Sequence, residues 1–125
     1  MSNLLLVAAG GAIGASLRHL SGIYILRLLG SGFPWGTLFV NVSGSLIMGL
    51  FIAWLTKRTG ISNEIRLFFA TGLLGGFTTF SAFSLDVANL VERDAMSNAF
   101  IYITASVLLS VAAIFIGLWI GRNAL

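Results

Sequence analysis

Residues 71–84 read Thr71-Gly72-Leu73-Leu74-Gly75-Gly76-Phe77-Thr78-Thr79-Phe80-Ser81-Ala82-Phe83-Ser84, in the middle of an apolar run spanning residues 65–91. Three glycines within five residues, followed by two β-branched threonines, disfavour a continuous helix. In water such a stretch would simply be a loop. Inside a bilayer a broken helix frees amides and carbonyls where there is no water, which is tolerated only if protein, an ion or a cavity satisfies them. Freed carbonyl oxygens in that setting suit a small hard cation such as Na⁺. The alternative is an unbroken helix whose glycines serve a close helix contact.

The rest of the chain shows that the solvent is lipid. Of 125 residues, 58% are apolar and only 9% charged, too few charges to solvate the surface of a soluble domain. A hydrocarbon core about 30 Å thick needs roughly 20 apolar residues per helix. The charges then divide the chain into four predicted spans, residues 4–26, 35–56, 65–91 and 99–120, joined by short polar breaks. The expected architecture is an all-α membrane protein, one four-helix transmembrane domain over residues 1–125, with a break in the third helix. The first run lacks a basic leader and stays apolar past any plausible cleavage site, so it is read as a retained helix. The net charge of +3 is spread thinly, and its densest cluster is Lys57 and Arg58, which argues against nucleic acid as a partner. Without cysteine there is no disulfide, thiolate metal site or thiol nucleophile.

Basic residues flanking spans normally stay on the cytoplasmic side. Here Lys57, Arg58, Arg66 and Arg122 fall on one side and Arg18, Arg27 and Arg93 towards the other. This near balance leaves open either an ordinary single orientation or insertion both ways with pairing as an antiparallel dimer. Four short helices enclose little volume, so a pathway is more readily built between two copies. The pairs Gly10 with Gly14 and Gly117 with Gly121 have the spacing that lets helices approach closely.

The spans carry hydrogen-bond donors and no lysine. Tyr102, Ser106 and Ser110 fall at i, i+4 and i+8 on the fourth helix, Asn41 sits in the second with Ser43 and Ser45, and Thr79, Ser81 and Ser84 follow the break. Phe80 and Phe83 are three apart and share a face on a resumed helix; they are either ordinary packing or rings whose positive edges meet an anion. Arg18 and Asp86 are the ionisable groups within or near the spans, and such groups are functional candidates by default. Arg18 either snorkels to the interface or attracts an anion. No serine–histidine–aspartate relay, paired-histidine metal site or phosphate-binding glycine loop is visible, so passage of something small fits better than chemistry.

The stretch GGFTTFSAFS from Gly75 to Ser84, with Asn41 in GTLFVNVSGS and Arg18 in GAIGASLRH, resembles the bacterial Fluc (CrcB) family of fluoride channels over essentially the whole chain. The resemblance implies passive fluoride export across the bacterial inner membrane by an antiparallel, dual-topology homodimer. It implies two pores per dimer and a structural Na⁺ at the dimer centre. Residue by residue, it assigns the Na⁺ to the carbonyls of Gly75 and Thr78. It faces Phe80 and Phe83 to fluoride and lines the pore with Asn41, Thr79, Ser81, Ser84, Tyr102, Ser106 and Ser110. It places Arg18 at a vestibule. Two positions depart from the pattern: Asp86 stands where relatives often have Glu, and Ile114 ends a stripe that elsewhere continues with Thr. Neutral donors match the chemistry of a small, strongly hydrated anion, which must exchange water for protein groups without being trapped. A small proton-coupled exporter of similar size would need an acid in its first helix, and there is none between residues 4 and 26.

Overall fold

The computed structural model describes residues 2–125, and every regular element among them is helical. Helix α1 covers Ser2–Leu29 and α2 covers Trp35–Thr56. Helix α3 begins as Asn63–Arg66, widens into a π-wound stretch at Leu67–Leu74, and ends with the turn Gly75–Phe77. Helix α4 covers Phe80–Glu92 and α5 covers Met96–Ala124. Four segments are long and apolar enough to cross a membrane, and α3 with α4 makes the third, Asn63–Glu92. The helices run past the predicted spans at several ends, because helical geometry continues into the polar headgroup zone where charges are no longer costly.

Glycine and aspartate make two of the turns. Gly30, at φ +79°, ends α1 with its N–H on the Leu26 carbonyl at 2.9 Å, a conformation open to glycine at little steric cost. Asp94, at φ 59°, turns the chain from α4 into α5, in the left-handed region that aspartate tolerates better than most residues.

Two glycine seams hold the helices together. Helix α1 lies on α3: a Cβ added at Gly76 would stand 2.7 Å from the Gly11 carbonyl, and one at Gly10 2.9 Å from the Leu73 nitrogen. Helix α2 lies on α5 in the same manner, where a Cβ at Gly49 would be 2.9 Å from the Leu118 nitrogen and one at Gly117 2.9 Å from the Leu50 nitrogen. Lipid tails are as apolar as leucine, so close backbone approach and van der Waals packing replace the hydrophobic drive that folds soluble bundles. Large apolar side chains accordingly face outward, among them Leu5, Leu108, Phe115 and Trp119. The buried cluster lies between α4 and α5, where Phe83 and Leu90 meet Ala99 and Tyr102.

The seam makes a prediction about size. Gly117→Val should destabilise the protein by about 1–3 kcal/mol through overpacking, and Gly22→Ala, whose added Cβ meets nothing within 4 Å, should be near neutral. Thermal unfolding of the two variants in the same detergent checks this.

Candidate functional site

The chain breaks at the threonines and not at the glycines. Gly72 and Gly75 stay helical, and the Gly75 N–H bonds to the Ala70 carbonyl five residues back, as a π-turn requires. Thr78 (φ −90°, ψ 155°) and Thr79 (φ −153°, ψ 124°) are extended, which separates α3 from α4. β-Branched side chains favour that conformation.

The Asn41 side chain satisfies the broken backbone. Its Oδ1 accepts the Thr79 N–H at 2.8 Å, and its Nδ2 donates to the Thr79 carbonyl at 3.0 Å, so one primary amide replaces a neighbouring strand. The pairing also fixes which way round the amide sits, since only one orientation matches donor to acceptor. Thr79 Oγ1 in turn accepts the Ala82 N–H at 3.1 Å and caps α4. Arg18 reaches across from α1, its Nε donating to the Gly76 carbonyl at 3.0 Å, where the cation also meets the carbonyl end of α3. Arg18 is thereby tied to the break.

These bonds leave particular carbonyls free. A continuous helix would give the Thr79 N–H to the Gly75 oxygen and the Ala82 N–H to the Thr78 oxygen. Both donors are diverted, to Asn41 and to Thr79 Oγ1. Thr78 turns its own hydroxyl back to the Leu74 carbonyl at 3.0 Å, so it offers an oxygen from its main chain and not its side chain.

Beside the break lies a lateral groove of about 410 Å³, walled by α2, α4 and α5. Asn41, Thr79, Phe80, Phe83, Ser106 and Ser110 line it, with Met48, Val111 and Ile114 at its apolar margin. Ser106 is 6% exposed, and its hydroxyl, close to that of Tyr102, makes no well-formed hydrogen bond within the protein. Buried hydroxyls are nearly always satisfied, so an orphaned one beside a cavity marks a place for something else to bind. Phe80 is 77% exposed with its ring 5.4 Å from that of Phe83, which is itself buried against Tyr102 at 5.2 Å.

Three candidate donors lie off the groove. Tyr102 is 0% exposed, and its hydroxyl donates to Asp86 Oδ2 at 2.9 Å, so the tyrosine belongs to the α4–α5 core and Asp86 has a partner. Ser84 donates to the Phe80 carbonyl at 3.0 Å within its own helix. Ser81 is exposed, 3.3 Å from the Thr79 hydroxyl. A second cavity of about 330 Å³ lies against Arg18, His19, Val40 and Thr79, so the peptide held by Asn41 forms part of the wall of both spaces.

Four helices apolar enough to cross a membrane, with polar groups gathered on a groove between three of them, define a multi-pass α-helical membrane protein. Residues 5–118 match the family described as CrcB-like protein, Camphor Resistance (CrcB). The chain is 58% identical over 123 residues, 98% of both chains, to a protein of Mesorhizobium japonicum named "Fluoride-specific ion channel FluC". It is 58% identical over 125 residues, the full length of both, to one of the same name from Chelativorans sp., and 53% identical over 123 residues to one from Agrobacterium fabrum. The chain therefore belongs to the Fluc (CrcB) family, which is a family of ion channels and not of enzymes.

The stitch makes a prediction of its own. Asn41→Leu leaves the Thr79 N–H and carbonyl without partners and should cost about 3 kcal/mol. Ser43→Ala, which removes only a hydroxyl bonded to its own helix through the Phe39 carbonyl, should change stability by less than about 0.5 kcal/mol. Detergent unfolding compares the two.

Proposed function

We propose that this protein is a fluoride-selective channel, working as an antiparallel, dual-topology homodimer in the bacterial inner membrane. It lets fluoride leave the cytoplasm passively through two pores per dimer. The observation that carries the reading is the unpartnered Ser106 hydroxyl in a groove shared with Ser110, Thr79 and the Phe80 and Phe83 rings. Relatives at 58% identity over almost the full chain bear the name of fluoride-specific channels.

Fluoride surrenders its hydration only where donors replace water, and a cationic side chain in the narrow region would hold it too long to conduct. Ser106 and Ser110 supply neutral O–H donors one turn apart on α5, and the ring edges of Phe80 and Phe83 carry partial positive charge without a formal one. Arg18 is held at the break by the Gly76 carbonyl and supplies positive potential at a distance that favours anions over cations.

The groove opens sideways, and Gly75 and Phe80 are exposed beside it. A second copy packed on this face closes the groove, and the near-even split of basic residues supports the two copies inserting in opposite senses. The freed carbonyls of Gly75 and Thr78 are hard neutral oxygens of the kind that suits Na⁺. They would hold that ion between the two copies, where it would supply fixed positive charge and tie the breaks together.

The test is fluoride efflux from liposomes, followed with a fluoride electrode. The reconstituted protein should pass fluoride and exclude chloride, and Phe80→Ile should cut the flux about three- to tenfold while leaving the fold intact. Flux no greater than that of empty liposomes would overturn the reading. Unchanged flux in both Phe80→Ile and Phe83→Ile would reduce the rings to packing.

A further inference from the structure

The loop between α2 and α3, with the first turn of α3, carries three of the seven Lys and Arg residues at one end of the molecule. Lys57, Arg58 and Arg66 occur within ten residues, against the single acid Glu64. Glu64 and Arg66 are two apart on the first turn of α3, a spacing that turns them away from each other. Arg58 and Arg66 both line a surface cavity of about 310 Å³, together with Thr56, Gly60, Ser62 and Asn63, and no acidic residue lines it.

Arg58 is held in place from behind. Its guanidinium lies over the Trp54 ring, 4.8 Å from the centroid, which leaves its N–H edge available for an oxyanion such as a phosphate. Ser62 and Asn63 add polar groups to the same cavity, and Ser62 makes no side-chain cap to α3. The position along the membrane normal is set by the sequence: α2 ends its apolar run at Thr56, and Trp54 is of the type that settles at headgroup level. A cavity at that level, with two arginines in its lining and no carboxylate, presents phosphate chemistry at the depth where lipid phosphates lie.

We propose that this cavity is a binding site for the phosphate of an anionic phospholipid, with Arg58 and Arg66 as its ligands and Trp54 as the brace that orients Arg58. The site stands independently of what the groove conducts. It gives the loop a function that the channel reading leaves unassigned, fixing the depth at which α2 and α3 enter the membrane.

Native mass spectrometry of the full-length protein in detergent tests this, titrating phosphatidylglycerol against phosphatidylcholine, with inorganic phosphate as competitor. The wild-type protein should retain phosphatidylglycerol preferentially. Each arginine near an anionic headgroup contributes about fivefold in affinity, so Arg58→Ala combined with Arg66→Ala should weaken phosphatidylglycerol binding about 25-fold. Arg27→Ala, on a basic residue remote from the cavity in sequence and absent from its lining, should retain it. If the double alanine variant fails to fold, Arg58→Lys with Arg66→Lys keeps the charge, loses the planar fork, and should still bind several-fold more weakly. Equal retention of the two lipids, or undiminished preference in the folded arginine variants, would overturn the proposal. Displacement of the lipid by millimolar inorganic phosphate would overturn its assignment to lipid and leave a free-anion site.

Discussion

The pair of hydrogen bonds between Asn41 and the backbone of Thr79 is the contact on which the rest of the site depends. A transmembrane helix cannot open unless something replaces water at its freed amide and carbonyl, and each group left alone would cost several kcal/mol in hydrocarbon. Asn41 supplies one acceptor and one donor to a single peptide. The two threonines can then stay extended, and the third span can be two helices at an angle rather than one straight rod. Because the Thr79 N–H is spent on Asn41 and the Ala82 N–H on the Thr79 hydroxyl, the carbonyls of Gly75 and Thr78 are released together. The same backbone change places Phe80 and Phe83 on the groove and gives Arg18 the Gly76 carbonyl to hold.

Around that centre the fold is economical with side chains. Two seams of backbone against backbone, α1 on α3 and α2 on α5, do the work that apolar burial does in water. Thin packing leaves little enclosed volume within one chain, so the polar groups sit on a lateral groove and not in a central channel. In the proposed antiparallel dimer a second copy would complete that groove, which would tie the near-even distribution of basic residues to function as well as to insertion.

Much of this was legible from residue types in order. Four spans follow from where the charges fall, and the tight helix contacts follow from Gly10, Gly14, Gly117 and Gly121, all four of them buried. The break was legible as a region but not as a position. Glycines and threonines within residues 71–84 both disfavour a continuous helix, but in lipid a glycine can stay helical at modest cost and wind as a π-turn, whereas consecutive β-branched threonines with a capping hydroxyl have an extended alternative ready. The Asn41 contact joins residues 38 apart in sequence, and no local pattern announces it. The stripe Tyr102, Ser106, Ser110 divides, with Ser106 and Ser110 on the groove and Tyr102 buried. Steps of four advance about 40° around a helix of 3.6 residues per turn. That drift carries Tyr102 away from the groove and into the core, where its hydroxyl donates a hydrogen bond to Asp86.

In the proposed channel the Ser106 hydroxyl, which lacks a well-formed bond to the protein, is there for a passing anion. Ser106→Ala tests it most directly, with stability and fluoride flux measured on the same preparation. Removing an unsatisfied buried hydroxyl should leave the unfolding temperature unchanged or raise it. A hydrogen bond to a charged species is worth about 1.5–3 kcal/mol, so fluoride flux should fall roughly tenfold or more. Undiminished flux in a variant that is equally or more stable would mean that the Ser106 hydroxyl does not contact the conducted anion.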